Sequence, residues 1–209
     1  MKTFLIIWFG QFVSQIGTAL TRFALLVWLY QQTGSALDVA LLGFFAFLPS
    51  CLISPLAGVW VDRLDRRQVM LFADLGAGLT TVALLGFYLT GGLQIGYLYA
   101  AQVLAGIFEA FQSPAYAAMT TLLVPKAHYA RVNGLRSLAQ NSAMVIAPFL
   151  AGLLLLWLGV GGVMIVDLCT FGGALLTLLL VRVPRPLSQT EPAATGGKPT
   201  FWADLRAGM

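Results

Sequence analysis

Hydrophobic residues in this sequence arrive in long blocks, broken at intervals by short polar turns. Six stretches, roughly 4–30, 37–61, 68–90, 95–121, 134–157 and 160–182, are each long enough as helices to cross about 30 Å of hydrocarbon at about 1.5 Å per residue. The first, second and fourth also contain Gly, Pro and polar residues, which a spanning helix tolerates where neighbours or a cavity satisfy its backbone. The polar positions are not scattered. At about 100° per residue, Gln11, Gln15, Thr18 and Arg22 fall within an arc of about 60° on the first segment. On the fourth, Gln102, Gly106, Glu109, Ser113 and Tyr116 fall within about 80°. Two helices with continuous polar stripes require each other or water, so segments one and four are expected to line a cavity. Gly10, Ser14, Gly17 and Thr21 run beside the first stripe and predict a close helix–helix seam.

Composition agrees with the pattern. Hydrophobic residues make up 59% of the chain and charged residues 10%, with a mean hydropathy of +0.85. A soluble domain carries roughly a quarter charged residues, so the bilayer is the expected solvent and the fold class an all-α membrane bundle. The net charge of +4 does not indicate nucleic acid, because the basic residues do not form one patch. They mark sidedness instead. Lys2, Arg63, Arg66, Arg67, Lys126, Arg131, Arg136, Arg182, Arg185, Lys198 and Arg206 are eleven of the twelve; all belong to the ends and alternate loops. The loops near 31–36, 91–94 and 158–161 carry none, which predicts both termini in the cytoplasm of a multi-pass inner-membrane protein. The twelfth, Arg22, lies inside the first segment. Residues 1–182 thus form the transmembrane domain. Residues 183–209 read as a Pro-rich cytoplasmic linker followed by the start of an amphipathic segment, and the chain is expected to be part of a longer protein. Cys51 and Cys169 sit in apolar runs without ligand spacing. No metal, cofactor or enzymatic cluster is indicated.

Two loops and two helices carry more specific signals. Gly58-Val59-Trp60-Val61-Asp62-Arg63-Leu64-Asp65-Arg66-Arg67 joins segments two and three. Gly58 precedes Asp62 by one helical turn, so a bare backbone patch and a carboxylate share one face near the membrane boundary. This stretch resembles the Gly-x-x-x-Asp-Arg-x-Gly-Arg-Arg/Lys loop motif of the major facilitator superfamily. Gly58, Asp62, Arg63, Arg66 and Arg67 match, and Asp65 replaces the second glycine. Ala147-Pro148-Phe149-Leu150-Ala151-Gly152 is similar to that family's antiporter motif, with Pro148 and Gly152 matching. Gln102-Val103-Leu104-Ala105-Gly106 stands where the family carries Arg-x-x-x-Gly. Together with Gln112-Ser113-Pro114-Ala115-Tyr116 and Val124-Pro125, it resembles the macrolide-efflux and enterobactin-exporter branch. The resemblance implies the amino-terminal six-helix half of a twelve-helix transporter and a motif at 58–67 that gates alternating access. It also implies a small-molecule substrate, a coupling ion (H⁺) and membrane lipid as partners, with the carboxy-terminal half or a second copy completing the molecule. The expected function is export by proton antiport; the alternative is a non-transporting scaffold or sensor built on a transporter half.

The cavity candidates are Gln11, Gln15, Arg22, Gln102, Glu109 and Ser113, and Glu109 is the coupling candidate. Counted from the expected outer ends of their segments, Arg22 lies about 12 Å deep, Glu109 about 21 Å and Asp167 about 10 Å. An offset of about 9 Å excludes a fixed Arg22–Glu109 contact unless long side chains or a water bridge it, and depth makes Asp167 the better match. Asp74, close to the basic boundary, is expected to snorkel or to meet the loop arginines.

Overall fold

A backbone in hydrocarbon must satisfy its own N–H and C=O groups, and a continuous helix does so within one segment. The computed structural model describes residues 2–180, the side chains of Lys2, Thr3 and Asp62 excepted. The linker and amphipathic segment expected at 183–209 lie outside the described residues. Five helical runs account for most of the rest: α1 Lys2–Thr33, α2 Ala36–Arg63, α3 Arg66–Leu89, α4 Ile95–Leu123 and α5 Tyr129–Leu180, with a short 3-10 turn at Lys126–His128 before α5. Their ends have local causes. Gly34 takes φ +63 to stop α1, and the Ser35 hydroxyl accepts from the Asp38 N–H to start α2. Asp65 caps α3 by accepting from the Arg67 N–H at 3.0 Å, the capping role a carboxylate fills well at a helix start.

The sequence predicts separate segments at 134–157 and 160–182; α5 starts earlier, at Tyr129, and its helical backbone breaks at Gly159, between those two segments. Gly159 has φ 64 and ψ −177, a left-handed backbone open to glycine. A straight helix of 52 residues would reach about 78 Å. Both of its ends nevertheless meet the first turns of α1. The Trp8 indole donates to the Leu135 carbonyl at 3.1 Å, and Ile7 packs with Leu178. The run therefore doubles back at Gly159 into a hairpin, and its two arms share a cluster with α1 through Ala147, Ala151 and Val163.

The helices alternate up and down between two apolar layers. Ile7, Val61, Met70, Met119 and Leu178 meet at one end. Leu29, Leu42, Leu84, Leu98 and Met164 meet at the other. Every described loop cation, including Arg63, Arg66, Arg67 and the segment from Lys126 to Arg136, belongs to the first end. Four stretches among the described residues are long and apolar enough to cross a membrane: Phe4–Thr33, Ala36–Val61, Arg66–Leu89 and the double-length Lys126–Leu180. α4 does not reach that apolarity, since Gln102, Glu109 and Gln112 interrupt its 29 residues.

Small residues bring the helices close. A β-carbon at Gly10 would meet Thr177, and one at Gly17 would meet Thr170 and Asp167, so the small-residue stripe of α1 lies against the second arm of α5. A β-carbon at Gly106 would run into the Ala46 carbonyl of α2. Two arginines tie the first end together. Arg66 donates to the Ala118 carbonyl at 3.2 Å, and Arg67 donates to the Leu178 and Leu179 carbonyls at 2.9 Å each. Arg67→Ala should lower the unfolding free energy by about 1–3 kcal/mol, because it removes the donor to two carbonyls in a partly buried place. Thermal unfolding in detergent measures this; an unchanged midpoint would remove Arg67 from the stabilising contacts.

Candidate functional site: a polar cavity between four helices

Between the two apolar layers lies a cavity of about 580 Å³. α1, α3, α4 and both arms of α5 line it, and α2 does not. All six cavity candidates from the sequence, Gln11, Gln15, Arg22, Gln102, Glu109 and Ser113, line this space. The polar arcs of α1 and α4 therefore converge as their periodicity requires.

Arg22 and Glu109 meet directly, with Nη2 2.7 Å from Oε2. The depth argument allowed this contact only through long side chains or a water, and the side chains make it. α1 continues to Thr33, so Arg22 lies about 16 Å from its outer end, within about 5 Å of the depth of Glu109. Two long side chains close that gap. The pair is half-open to the cavity, with side-chain exposures of 42% and 47%. Pairs so exposed contribute only about 0–1 kcal/mol, so this link between α1 and α4 breaks easily.

Asp167 lies within reach of the Arg22 charge but makes no ion pair with it. It is buried on the second arm of α5 and accepts from the Thr18 hydroxyl at 3.3 Å, one turn along α1 from Arg22. Asp74 departs further from expectation. It neither snorkels nor meets a loop arginine; it is 4% exposed and faces the cavity. Gln11 Nε2 donates to Asp74 Oδ2 at 3.0 Å, and Gln112 Nε2 donates to Oδ1, so one carboxylate joins α1, α3 and α4. Asp74, Ala77, Gly78 and Thr81 recur at helical spacing and all line the cavity. That stripe on the third segment was legible by the reasoning applied to segments one and four. Arg136, from the first arm of α5, lies 5.1 Å from the centre of the Tyr116 ring and completes the basic side of the wall.

The motif residues divide. A β-carbon at Gly58 would meet nothing within 4 Å, so packing in this chain does not require glycine there. The Asp62 side chain lies outside the described residues. Arg66 and Arg67 make the carbonyl contacts described above. In the 147–152 segment, Ala147 and Ala151 pack against α1. Pro148 is exposed, and a β-carbon at Gly152 would meet nothing within 4 Å.

Among the described residues, a helical bundle too apolar for water, with a half-open cavity lined by charged and amide side chains among apolar ones, has the construction of a membrane transport protein. The chain belongs to the Major Facilitator Superfamily, whose family profile matches residues 7–207; this is a family of transporters and not of enzymes. It is 31% identical over 211 residues to macrolide efflux protein A of Streptococcus pyogenes, covering 99% of this chain and 50% of that protein. Over 183 residues it is 32% identical to macrolide efflux protein A of Enterococcus faecalis, covering 84% of this chain and 53% of that one. It is 27% identical over 184 residues to the multidrug efflux pump Tap of Mycolicibacterium fortuitum, covering 86% of this chain and 45% of that protein. The chain spans about half the length of the curated relatives it matches.

Proposed function

We propose that this chain forms the amino-terminal half of a drug-efflux secondary transporter and supplies one wall of its substrate path. The observation that carries this reading is a cavity inside an apolar bundle whose wall carries charged and amide side chains, with the breakable Arg22–Glu109 pair across it. Counting both arms of α5 and the polar α4 gives six membrane passes within residues 1–182, with residues 183–209 as a linker. The basic end of the bundle is the cytoplasmic one, by the bias of lysine and arginine toward that side. The relatives named for efflux support a small drug-like molecule as cargo. The second half of the path is a further six-helix unit or a second copy, and lipid surrounds both.

Proton antiport proceeds through Glu109. A proton on Glu109 cancels its charge and releases Arg22, and Asp167 then offers Arg22 a carboxylate one turn away, at Thr18. Opening and closing at the cytoplasmic end involves the segment from Gly58 to Arg67. The bare face of Gly58 suits close approach by an element outside this chain, and Asp62 beside it supplies a charge that such an element can engage. In the transporter assembled with its other half, Asp62→Asn should impair efflux without reducing membrane insertion. Gly58→Leu should do the same by steric exclusion. Normal efflux in both variants would leave the segment a mere topology signal.

Sidedness is tested by labelling single cysteines in a background where Cys51 and Cys169 are replaced. Gln32→Cys and Gly92→Cys should react with an impermeant maleimide from outside the cell. Gln68→Cys should react only after the cytoplasmic face is opened. External labelling of Gln68→Cys would reverse the orientation.

A further inference from the structure

α3 carries glycine at both 76 and 78, inside a helix that runs unbroken from Arg66 to Leu89. Glycine in a helix interior is destabilising relative to alanine, so two of them side by side need a reason. Backbone conformation does not supply it, since neither takes a positive φ. Space does. A β-carbon at Gly78 would stand 2.6 Å from Phe171 Cε1 and 2.7 Å from its Cζ, well inside the about 3.5–4.0 Å of an ordinary carbon contact. One at Gly76 would run into the Phe108 ring in the same way. Each ring therefore rests directly on the backbone of α3, Phe108 reaching it from α4 and Phe171 from the second arm of α5.

Both rings also line the cavity, as do Gly78 and the Ala77 between the two glycines. A methyl group at either glycine thus moves a ring that belongs to the cavity wall, and the direction of movement is limited. Phe72, exposed on α3, meets the Phe108 ring edge-on with centres 5.9 Å apart and closes its way to lipid. The arm that bears Phe171 cannot step back, because Thr170 and Thr177 seat it against Gly17 and Gly10 of α1. Each ring then has the cavity to turn into. That cavity holds about 580 Å³, within the range of roughly 300–1,000 Å³ that takes drug-sized molecules, and a ring turned inward removes part of it.

We propose that Gly76 and Gly78 set the bulk of the molecule this wall admits, by letting the Phe108 and Phe171 rings rest back against α3. This rests on reading the cavity as a small-molecule path and assigns to α3 the residues that fix its size limit. Helix packing alone would give the two glycines no influence on which molecules enter, whereas a size limit makes their effect depend on the bulk of the probe.

The test uses the full chain in lipid nanodiscs, with Cys51 and Cys169 replaced and Ala77→Cys as a reporter on the wall. Methyl methanethiosulfonate is the small probe and benzyl methanethiosulfonate the bulky one, and both should modify the reporter. Gly78→Ala should slow the benzyl reagent by about tenfold relative to the methyl one, the steric penalty of an overpacked site. Gly76→Ala should act in the same direction. Phe171→Leu added to Gly78→Ala should restore the benzyl rate; a ratio that stays low would assign the effect to a distorted helix and overturn the proposal. An unchanged benzyl-to-methyl ratio in the glycine variants overturns the size limit while leaving the cavity reading intact. Reaction of the reporter with neither reagent overturns both. Should Gly78→Ala fail to fold, Phe171→Leu alone keeps the test: it should raise the benzyl rate relative to the methyl rate, and an unchanged ratio overturns the proposal.

Discussion

Glu109→Gln should abolish proton-driven uphill efflux while the protein inserts, folds and unfolds as the parent does. The two halves of that expectation have separate physical grounds. The Arg22–Glu109 pair is half-exposed to the cavity, so its loss removes only about 0–1 kcal/mol from the fold. Glutamine keeps the size and hydrogen-bonding reach of the side chain but cannot exchange a proton. Downhill exchange of substrate should therefore persist while accumulation against a gradient, driven by an imposed pH difference, disappears. The measurement is efflux from proteoliposomes holding the transporter assembled with its second half, with and without that pH difference. Asp167→Asn is the companion variant. Asp167 is buried and hydrogen-bonded by Thr18, and its substitution should lower thermal stability or expression. Normal uphill efflux in Glu109→Gln across the pH range would make Glu109 a wall residue and move coupling to another group.

Gly17→Val should prevent α1 from seating on the second arm of α5. A β-carbon at Gly17 would lie 3.0 Å from Asp167 Oδ1 and 3.1 Å from Asp167 Cα, besides meeting the Thr170 hydroxyl. The backbone atom cannot swing aside as a side-chain tip can. Overpacking of this kind costs about 1–3 kcal/mol or more, and here it also displaces the Asp167–Thr18 contact beneath Arg22. Gly172→Val is the matched control, since a β-carbon there meets nothing within 4 Å and the change in helix propensity is the same. Fluorescence-detected chromatography after graded heating should show Gly17→Val aggregating well below the parent and Gly172→Val close to it. Equal behaviour of the two would mean that the seam is not closely packed in the membrane.

Much of the site followed from periodicity. Gln11, Gln15, Arg22, Gln102, Glu109 and Ser113 share a cavity because polar residues at helical spacing inside an apolar run must turn away from lipid. The charged pairings did not follow, because depth along a helix is counted from an end that sequence locates only to within a few residues. The extra residues of α1, out to Thr33, narrowed the counted offset, and the long side chains of Arg22 and Glu109 close what remains. Asp74 was misjudged because its distance from the boundary allowed snorkelling, while the stripe it forms with Ala77, Gly78 and Thr81 at helical spacing, which turns it inward, was left out of the reading.

What the sequence determined by itself is everything set by local chemistry and by the solvent. The apolar blocks, their helical state, the grouping of basic residues at one end and the polar arcs all follow from one requirement: hydrocarbon admits neither unpaired backbone groups nor unshielded charge. What the tertiary structure decided is whatever depends on which helices are neighbours. It set Gly17 against Asp167 and Gly106 against the Ala46 carbonyl, gave Arg22 to Glu109 and put Asp74 between two glutamines. Such pairings depend on helix ends, tilts and close approaches that sum over the whole bundle, and no window of the sequence contains them.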